Sequence, residues 1–359
     1  MKYVDEFRDG KLIYAIARKI RGTVDRNRTY RFMDVCGTHT MNIFRFGLRE
    51  ILPSNIELIS GPGCPVCVTP NSFLDSAIAL AKMKGAVVTT FGDMLRVPGS
   101  YSTLEKERAK GCSVRVVYSS TDSLDIARRN PGKEIIFLGV GFETTIPTVA
   151  VSILDAKRYG VKNYSVLCGH KTMPEALREL VSDPSVAIDG FILPGHVSAI
   201  IGPSPYGFLH RKYKKRCVIT GFEPLDILQA ILMLVSQRTP GLDIQYTRAI
   251  GRDGNRVARK MIAEVFKKTD SAWRGIGTVR NSGLAIRERF AGWDAGKKFD
   301  IKIRPVRENK ACLCGDVLKG TKTPHECRLF GRVCTPETPV GSCMVSSEGT
   351  CAAYFKYRV

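Results

Sequence analysis

The stretch Gly61-Pro62-Gly63-Cys64-Pro65-Val66-Cys67 lies between two segments of opposite periodicity. The apolar run Ile56-Glu57-Leu58-Ile59 before it predicts a buried strand, and the apolar spacing of residues 71–82 after it predicts a helix. The prolines stiffen this turn, and the glycines let its backbone approach another group closely. A nearby helix N-terminus stabilises a thiolate. The cysteine pair is therefore suited to redox exchange or to a soft metal, the alternative being two buried, inert cysteines.

Length and composition place the chain among ordinary globular proteins. Its 359 residues suffice for two or three domains, and 44% apolar with 25% charged residues is typical of a soluble protein. Residues 1–10 lack the apolar core of a signal peptide, and the longest apolar run, residues 227–235, is too short to span a bilayer. We therefore expect a cytoplasmic protein without membrane contact.

Twelve cysteines are many for such a protein, and in a reducing compartment they indicate metal or redox chemistry. Four in the C-terminal tail, Cys327, Cys334, Cys343 and Cys351, are separated by six, eight and seven residues. Glycine and proline surround them, with little apolar periodicity to build a core. Four thiolates around an iron–sulfur cluster or zinc would hold this segment, and the spacing differs from a zinc ribbon. The spacing therefore favours an iron–sulfur cluster over zinc there, with Cys312/Cys314 as a neighbouring or alternative pair.

Strands and helices alternate along the chain, and the pattern begins again near residue 131. Ser123-Leu124-Asp125-Ile126 matches Pro224-Leu225-Asp226-Ile227 in the second part. We predict an α/β fold with two similar parallel-sheet domains, residues 30–130 and 131–240, that face a central cleft. Residues 1–29 are predicted to form a helical segment packing on a third domain, the cysteine-rich iron–sulfur domain of residues 241–359.

Several polar residues follow predicted strands, where parallel sheets bind ligands. Cys36 and His39 share one such loop, as metal ligands or as a nucleophile with its base. The alternative is a packed cysteine beside a hydrogen-bonded histidine. Glu143, His170 and His196 are further cleft candidates, each with a structural polar role as its alternative. We predict that His39 orients Cys36 or accepts its proton.

The net charge of +21 raises the possibility of nucleic-acid binding. The basic residues are scattered, however, and only Arg211-Lys212-Tyr213-Lys214-Lys215-Arg216 forms a dense run without an accompanying nucleic-acid motif. A solvated surface or docking of an acidic protein partner is favoured over nucleic acid. Gly139-Val140-Gly141 lacks the third glycine of a dinucleotide loop, so the usual nucleotide site is not supported.

Together the motifs resemble the HypD family of NiFe-hydrogenase maturation factors over nearly the whole chain. The resemblance is carried by these stretches: Cys36-Gly37-Thr38-His39-Thr40, Gly61-Pro62-Gly63-Cys64-Pro65-Val66-Cys67, Phe91-Gly92-Asp93-Met94, Arg96-Val97-Pro98-Gly99, Gly141-Phe142-Glu143-Thr144-Thr145, Pro194-Gly195-His196-Val197-Ser198, Gly221-Phe222-Glu223-Pro224, Phe330-Gly331-Arg332-Val333-Cys334-Thr335-Pro336 and Gly341-Ser342-Cys343-Met344-Val345-Ser346-Ser347-Glu348-Gly349-Thr350-Cys351.

The resemblance implies a 4Fe-4S cluster carried by the tail and a role in assembling an iron that bears two cyanides and one carbon monoxide. It implies a small chaperone, HypC, as partner, and HypE as the donor of cyanide from a thiocyanate. The finished unit is expected to pass to the hydrogenase large subunit. Carried over by motif, Cys36, Cys64 and Cys67 are the central cysteines of the cleft and the metal ligands.

The residue chemistry agrees with that role. Thiolates suit low-spin iron with cyanide and carbonyl ligands. Release of cyanide from a thiocyanate needs two electrons, which Cys64 and Cys67 would supply by forming a disulfide that the cluster then resets. Two other classes stay open: a stand-alone disulfide reductase and a zinc-stabilised nucleic-acid module. Whether the protein is itself an enzyme is left open.

Overall fold

The computed structural model describes residues 4–357, which contain two parallel sheets and one antiparallel hairpin. The strands are β1 (Tyr30–Asp34), β2 (Ile56–Ser60), β3 (Ala86–Thr90), β4 (Val114–Val116), β5 (Glu134–Gly139), β6 (Tyr164–Cys168), β7 (Gly190–Pro194), β8 (Arg216–Thr220), β9 (Leu242–Ile244), β10 (Phe266–Trp273) and β11 (Gly277–Ile286). Every strand pair within the two larger sheets is parallel. The predicted α/β fold with two parallel sheets is confirmed.

The strand order of each sheet departs from the predicted division of the chain. The first sheet has the order β2-β1-β7-β8-β9 and the second has the order β4-β3-β5-β6. The middle of the chain, residues 86–168, therefore forms the second sheet, and the flanking segments close the first. The boundaries 30–130 and 131–240 are corrected accordingly. The internal match reflected the repeated strand–helix alternation, which is the same for every unit and carries no information on which strands pair.

Fifteen α-helices connect and cover the strands in the described part of the chain. They are α1 (Gly10–Thr23), α2 (Gly37–Arg45), α3 (Leu48–Ile51), α4 (Asn71–Ala81), α5 (Leu104–Ala109), α6 (Ser120–Arg129), α7 (Ile146–Arg158), α8 (Met173–Ser182), α9 (Gly195–Ile201), α10 (Gly207–Arg211), α11 (Pro224–Ser236), α12 (Arg256–Val265), α13 (Ala295–Lys298), α14 (Cys314–Lys319) and α15 (Thr350–Tyr357). None of them is long and apolar enough to cross a membrane.

Local sequence explains several of these elements. α6 begins at a capping box, in which Ser119 Oγ accepts from Asp122 N and the Asp122 carboxylate accepts from Ser119 N. β3 is buried at all five positions, as expected for a strand of a parallel sheet that is covered on both faces. Short-range sequence signals therefore set where these elements begin.

The N-terminal helix packs differently from the prediction. α1 lies against α11, and Ile20 and Val24 share a hydrophobic core with Ile227 and Ile231 of that helix. Its apolar face therefore covers the first sheet rather than the tail. The prediction that residues 1–29 pack on a third domain is corrected, and residues 1–3 of that segment lie outside the described residues.

The segment predicted as a third domain is distributed over the rest of the molecule. β9 is the edge strand of the first sheet. Phe266 and Ile286, from the β10–β11 hairpin, pack in one core with Phe137 of the second sheet. The tail closes against a different core, so residues 241–359 do not form a separate unit. Of that range, residues 358–359 lie outside the described part.

One hydrophobic core joins the ends of both sheets to the tail. It contains Val35 and Leu193 from the first sheet, Phe142 from the second, and Cys67 and Cys343. The carboxyl ends of the strands, the CPVC turn and the cysteine-rich tail therefore meet in one region of the molecule. This region holds the candidate site.

Candidate functional site

The CPVC turn is locked against the Cys36 loop. β1 and β2 are neighbouring parallel strands, so the loops that follow them lie side by side. Gly37 N donates to Gly63 O at 3.1 Å, and a Cβ on Gly63 would lie 2.3 Å from Cys36 N. Only glycine permits this approach. Cys36 is therefore held beside Cys64 and Cys67 by backbone contacts.

Both CPVC cysteines are buried, with exposed fractions of 3% for Cys64 and 0% for Cys67. Cys67 N donates to Cys64 Sγ at 3.3 Å. Burial raises the pKa of the Cys67 thiol well above its usual value, and this outweighs the hydrogen bond from the Cys343 thiol that lowers it. The stabilised thiolate expected from a nearby helix N-terminus is therefore absent for Cys67, because desolvation favours the neutral thiol.

Cys36 caps α2 at the carboxyl end of β1. Burial, followed by the charge of Glu348, raises the pKa of its thiol to about 12, against a smaller lowering by the nearby backbone N–H groups of Thr38 and His39. Thr38 Oγ1 donates to Glu348 Oε1 at 2.8 Å. Sequence analysis missed Glu348, and its position inside the tail motif, between Cys343 and Cys351, was the only available signal.

The His39 imidazole faces away from the predicted partner. Its Nε2 donates to the Gly221 carbonyl at 2.9 Å, and its ring stacks on Phe222 with the centroids 4.7 Å apart. Among the described residues no hydrogen bond joins this ring to Cys36, so the predicted proton transfer between them is corrected. The reason is the geometry of α2, which aims residue 39 at the loop after β8. Burial lowers the His39 pKa to about 4, so the ring is neutral at neutral pH.

His39 and His196 nevertheless belong to one group, because both stack on Phe222. The His196 ring centroid lies 3.9 Å from that of Phe222. In His39 the donated proton is on Nε2, which leaves Nδ1 as a buried lone pair without a partner in residues 4–357. Sequence analysis missed Phe222, although the Gly221-Phe222-Glu223-Pro224 stretch pointed to its loop.

Glu143 reaches the same region from the second sheet. Its Oε1 accepts from Met173 N at 3.0 Å, whereas its buried Oε2 has no partner among the described residues. Burial first, and then the charges of Glu143 and Cys36, raise the pKa of the buried Tyr206 phenol. Tyr206 therefore lies near both residues and connects the two sheet ends electrostatically.

His170 is placed elsewhere. Its Nδ1 lies 3.4 Å from Cys168 Sγ, and its ring meets Phe266 edge-on. Burial lowers its pKa to about 3. Within the described chain no contact joins it to Cys36 or to the CPVC turn, so of the three histidine candidates only His39 and His196 lie together.

Glu143→Gln should remove a pH dependence of stability. Burial raises the Glu143 pKa to about 7 from an ordinary value of 4.5, so the native state holds a proton that the unfolded chain releases. The free energy of unfolding of the wild type should therefore fall as pH rises across this interval, by roughly 3 kcal/mol. Glutamine keeps the bond to Met173 N and cannot ionise. Urea unfolding at about pH 5 and about pH 8 measures the difference.

Glu179→Gln is the matched control, because Glu179 is exposed on α8 and undergoes the same isosteric change. It should follow the pH dependence of the wild type. Burial also raises the Asp34 pKa to about 7, so the Glu143→Gln variant keeps the part of the pH dependence that Asp34 contributes. A Glu143→Gln protein that lost as much stability toward high pH as the wild type would contradict the assignment of this proton to Glu143.

The six cysteines of the tail line a single small cavity. They are Cys312, Cys314, Cys327, Cys334, Cys343 and Cys351. Cys314 Sγ and Cys343 Sγ are 3.2 Å apart, and Cys334 Sγ accepts from Val340 N at 3.3 Å. The predicted quartet is therefore brought together, and the predicted neighbouring pair lines the same cavity.

The donor set of this cavity fits an iron–sulfur cluster. Its polar donors are thiols alone, and apolar side chains such as Leu329 and Phe330 complete its walls. A Cβ on Gly341 would lie 2.8 Å from Cys312 Sγ, so glycine is needed where the chain passes the thiols. No group of three or more His, Cys, Asp or Glu side chains in residues 4–357 has the arrangement of a single-ion site.

The cavity is in direct contact with the CPVC turn. Ser342 Oγ donates to Cys67 O at 2.7 Å, and Cys67 and Cys343 are buried in the same hydrophobic core. Cys67 and Ser342 are 275 positions apart in sequence. A dithiol and a multi-thiol cavity are thus adjacent.

Comparison with known proteins agrees with this arrangement. The HypD family model, described as "Hydrogenase formation hypA family", matches residues 11–358. The chain is 49% identical to the hydrogenase maturation factor HypD of Cupriavidus necator, over 99% of this chain and 97% of that protein. It is 47% identical to HypD of Azotobacter vinelandii, with the same coverage, and 41% identical to HypD of Escherichia coli, over 100% and 98%.

Proposed function

The chain belongs to the HypD family of hydrogenase maturation factors, and from that premise we propose that it assembles the iron unit of a NiFe hydrogenase. In this proposal a HypC-type chaperone binds the protein, and the iron they hold receives two cyanides and one carbon monoxide. HypE donates the cyanide as a thiocyanate, and the hydrogenase large subunit is the indirect recipient. The observation that carries the proposal is the contact between the CPVC turn, the Cys36 loop and the tail cavity.

The iron being assembled is the substrate of the cleft. Cys36 and one of Cys64 and Cys67 hold it, with the chaperone completing the ligand set. The glycine contacts between the two loops keep these sulfurs in place while the remaining coordination positions accept diatomic ligands. Because burial raises the pKa of Cys36 and Cys67, iron binding must displace protons, and iron affinity should rise with pH.

The N–H groups of Thr38 and His39 stabilise the Cys36 thiolate once it forms. His39 and His196, held on Phe222, line the approach, and the unshared lone pair of His39 Nδ1 is available to a ligand or a proton. Glu143 lies near Tyr206 at the opposite wall as a carboxyl that can hold or release a proton near neutral pH.

Cyanide release balances when Cys64 and Cys67 act as a dithiol. A thiocyanate R–S–CN and two thiols give R–SH, hydrogen cyanide and one disulfide, so the sulfur–carbon bond breaks as a sulfur–sulfur bond forms. The electron pair comes from the two cysteine sulfurs, and their two protons pass to the products. Cys327, Cys334, Cys343 and Cys351 would hold a 4Fe-4S cluster, with Cys312/Cys314 as alternative ligands, and this cluster would supply electrons to the adjacent disulfide.

A second candidate function is a stand-alone disulfide reductase. The hydrogen bond from Ser342 in the tail to Cys67 favours it as well, because a reductase needs the same adjacency. The two functions differ in their dependence on a thiocyanate-bearing partner and on bound iron outside the tail.

Thiol counting during cyanide transfer tests the proposal. The protein, purified without oxygen together with its chaperone, is mixed with thiocyanate-bearing HypE, and alkylation with mass spectrometry counts the free thiols of Cys64 and Cys67. One disulfide should form for each cyanide released, as the balanced reaction requires. With the cluster oxidised beforehand and no reductant present, so that the disulfide cannot be reset, unchanged thiols after cyanide release would refute the dithiol role. If the protein reduced a simple disulfide substrate equally fast with and without HypE and the chaperone, the disulfide reductase would be the favoured function.

A further inference from the structure

A large basic groove lies between α8, α12 and the β10–β11 hairpin, with a volume of about 940 Å³. Two acidic residues, Glu143 and Glu175, line it. Seven cationic side chains also line it: Arg178, Arg256, Arg259, Lys260, Lys267, Lys268 and Arg287. None of the residues of the basic run at 211–216 does so. The groove therefore concentrates positive charge at a place that the sequence did not reveal.

Most of this charge is not neutralised. Glu175 pairs with both Arg178, at 3.2 Å, and Lys268, at 3.4 Å, so one carboxylate serves two cations. Arg256 pairs with Asp253, which does not line the groove. Lys260 and Lys267 form no ion pair within the described residues. The groove thus keeps an excess of positive charge, whose self-repulsion costs stability and which an acidic ligand would relieve.

The cations are spread along the groove and come from three separate elements. On α12, the cations Arg256, Arg259 and Lys260 share one face, and the first and last of them are about 6 Å apart along the helix axis. Lys267 and Lys268 continue the row on β10. This distribution matches an extended chain with repeated negative charges.

The floor of the groove is apolar and contains two polar atoms without partners. Ile146, Phe266 and Leu284 line it. The buried Glu143 Oε2 and Thr172 Oγ1, which also belong to lining residues, have no hydrogen-bond partner in the part of the chain that the structure describes. Such atoms can bond to the backbone of a bound segment, and the apolar floor can take its aliphatic side chains.

We propose that this groove binds an acidic polypeptide segment of a partner protein, in which carboxylate and aliphatic side chains alternate. A small polyphosphate fits less well, because no glycine lines the groove to form a backbone anion nest and the cations do not converge. Charge complementarity fixes the class of partner and speeds its association. The groove lies outside the CPVC turn and the tail cavity, and Glu143 is the one residue that it shares with the proposed iron cleft.

Charge reversal with a matched control tests it. The probe is a fluorescent peptide that alternates glutamate with leucine, and its binding is followed by anisotropy. Lys260→Glu/Lys267→Glu should weaken binding on the order of tenfold, since two attractions become repulsions. Lys84→Glu/Lys133→Glu, just before β3 and β5 and outside the groove, changes the net charge equally and should weaken binding by less than about twofold.

Circular dichroism and thermal unfolding check that both double variants fold, and Lys260→Gln/Lys267→Gln provides a milder pair that should give a smaller loss in the same direction. Equal weakening by the groove and control variants would overturn the proposal, because binding would then follow net charge alone. A second outcome would also overturn the proposal, in favour of a small-polyanion site. In that outcome inorganic triphosphate binds the wild type more tightly than the peptide and displaces it, and the groove variant no longer binds triphosphate.

Discussion

A Cys343→Ala protein should lose its iron–sulfur absorbance and most of its bound iron and sulfide. Cys343 is fully buried, and its sulfur lies 3.2 Å from that of Cys314. Its removal takes away a central donor of the cavity, while the bond from Ser342 Oγ to Cys67 O keeps the cavity in contact with the CPVC turn. Because cluster binding would contribute to the stability of a tail with little core, the free energy of unfolding should fall as well. Iron and sulfide analysis with visible spectroscopy measures the loss.

Cys217→Ala is the matched control for this variant. Cys217 is as buried as Cys343 but lies in β8, away from the tail cavity. It should keep its cluster and lose about 1 kcal/mol from the small void alone. Cys334→Ala should behave like Cys343→Ala. If either tail variant kept a full complement of iron and sulfide, the assignment of that cysteine as a ligand would be wrong.

Cys36→Ala should leave the tail cluster intact and yet abolish the cyanide and carbonyl infrared bands of the complex with the chaperone. Cys36 lies at the end of β1 and does not line the tail cavity, so its loss removes a ligand of the iron substrate only. We expect complete loss of the bands, because a neutral methyl group cannot replace a soft thiolate at iron. Infrared spectroscopy together with iron and sulfide analysis separates the two metal populations.

Cys168→Ala supplies the control for a thiol at a strand end, since Cys168 is half-buried like Cys36 but closes β6 of the second sheet. It should keep both the cluster and the infrared bands. If a Cys36→Ala protein still matured active hydrogenase at the normal rate, the proposed role of this residue would be wrong.

The sequence predicted the loops of the site better than the sheets that carry them. Cys36, Cys64 and Glu143 each follow a strand whose apolar run and helical successor are local signals. Strand pairing is not local. β1 pairs with β7 because side chains more than a hundred residues apart pack together, as in the pairing of Met33 with Phe191, and no periodicity encodes that choice.

Side-chain direction was the second feature that the sequence could not supply. Cys36 and His39 share one loop, but a helix begins between them and turns the imidazole toward Gly221. Glu348, which the sequence analysis passed over, reaches this loop from the tail through Thr38. Proximity in sequence therefore gave the wrong neighbour for Cys36, because a helix distributes consecutive side chains around its axis.

The tail was predicted as a multi-cysteine site from composition and spacing, and the structure brings those cysteines to one cavity. The contact of Cys343 with Cys67 was not predictable, because it joins segments 276 residues apart whose only shared signal is that both contain cysteine. In the proposed function, that contact would give the CPVC pair a route to electrons. The contact that says most about the function of the site is thus also a contact between segments far apart in sequence.

The infrared spectrum of the wild-type protein, purified without oxygen in complex with its chaperone from cells that make hydrogenase, tests the central claim most directly. The account predicts both cyanide and carbonyl stretching bands from bound iron, in a sample that also contains the iron and sulfide of a 4Fe-4S cluster. A sample with a full cluster and bound chaperone that showed neither band would contradict it and would leave the disulfide reductase as the better description.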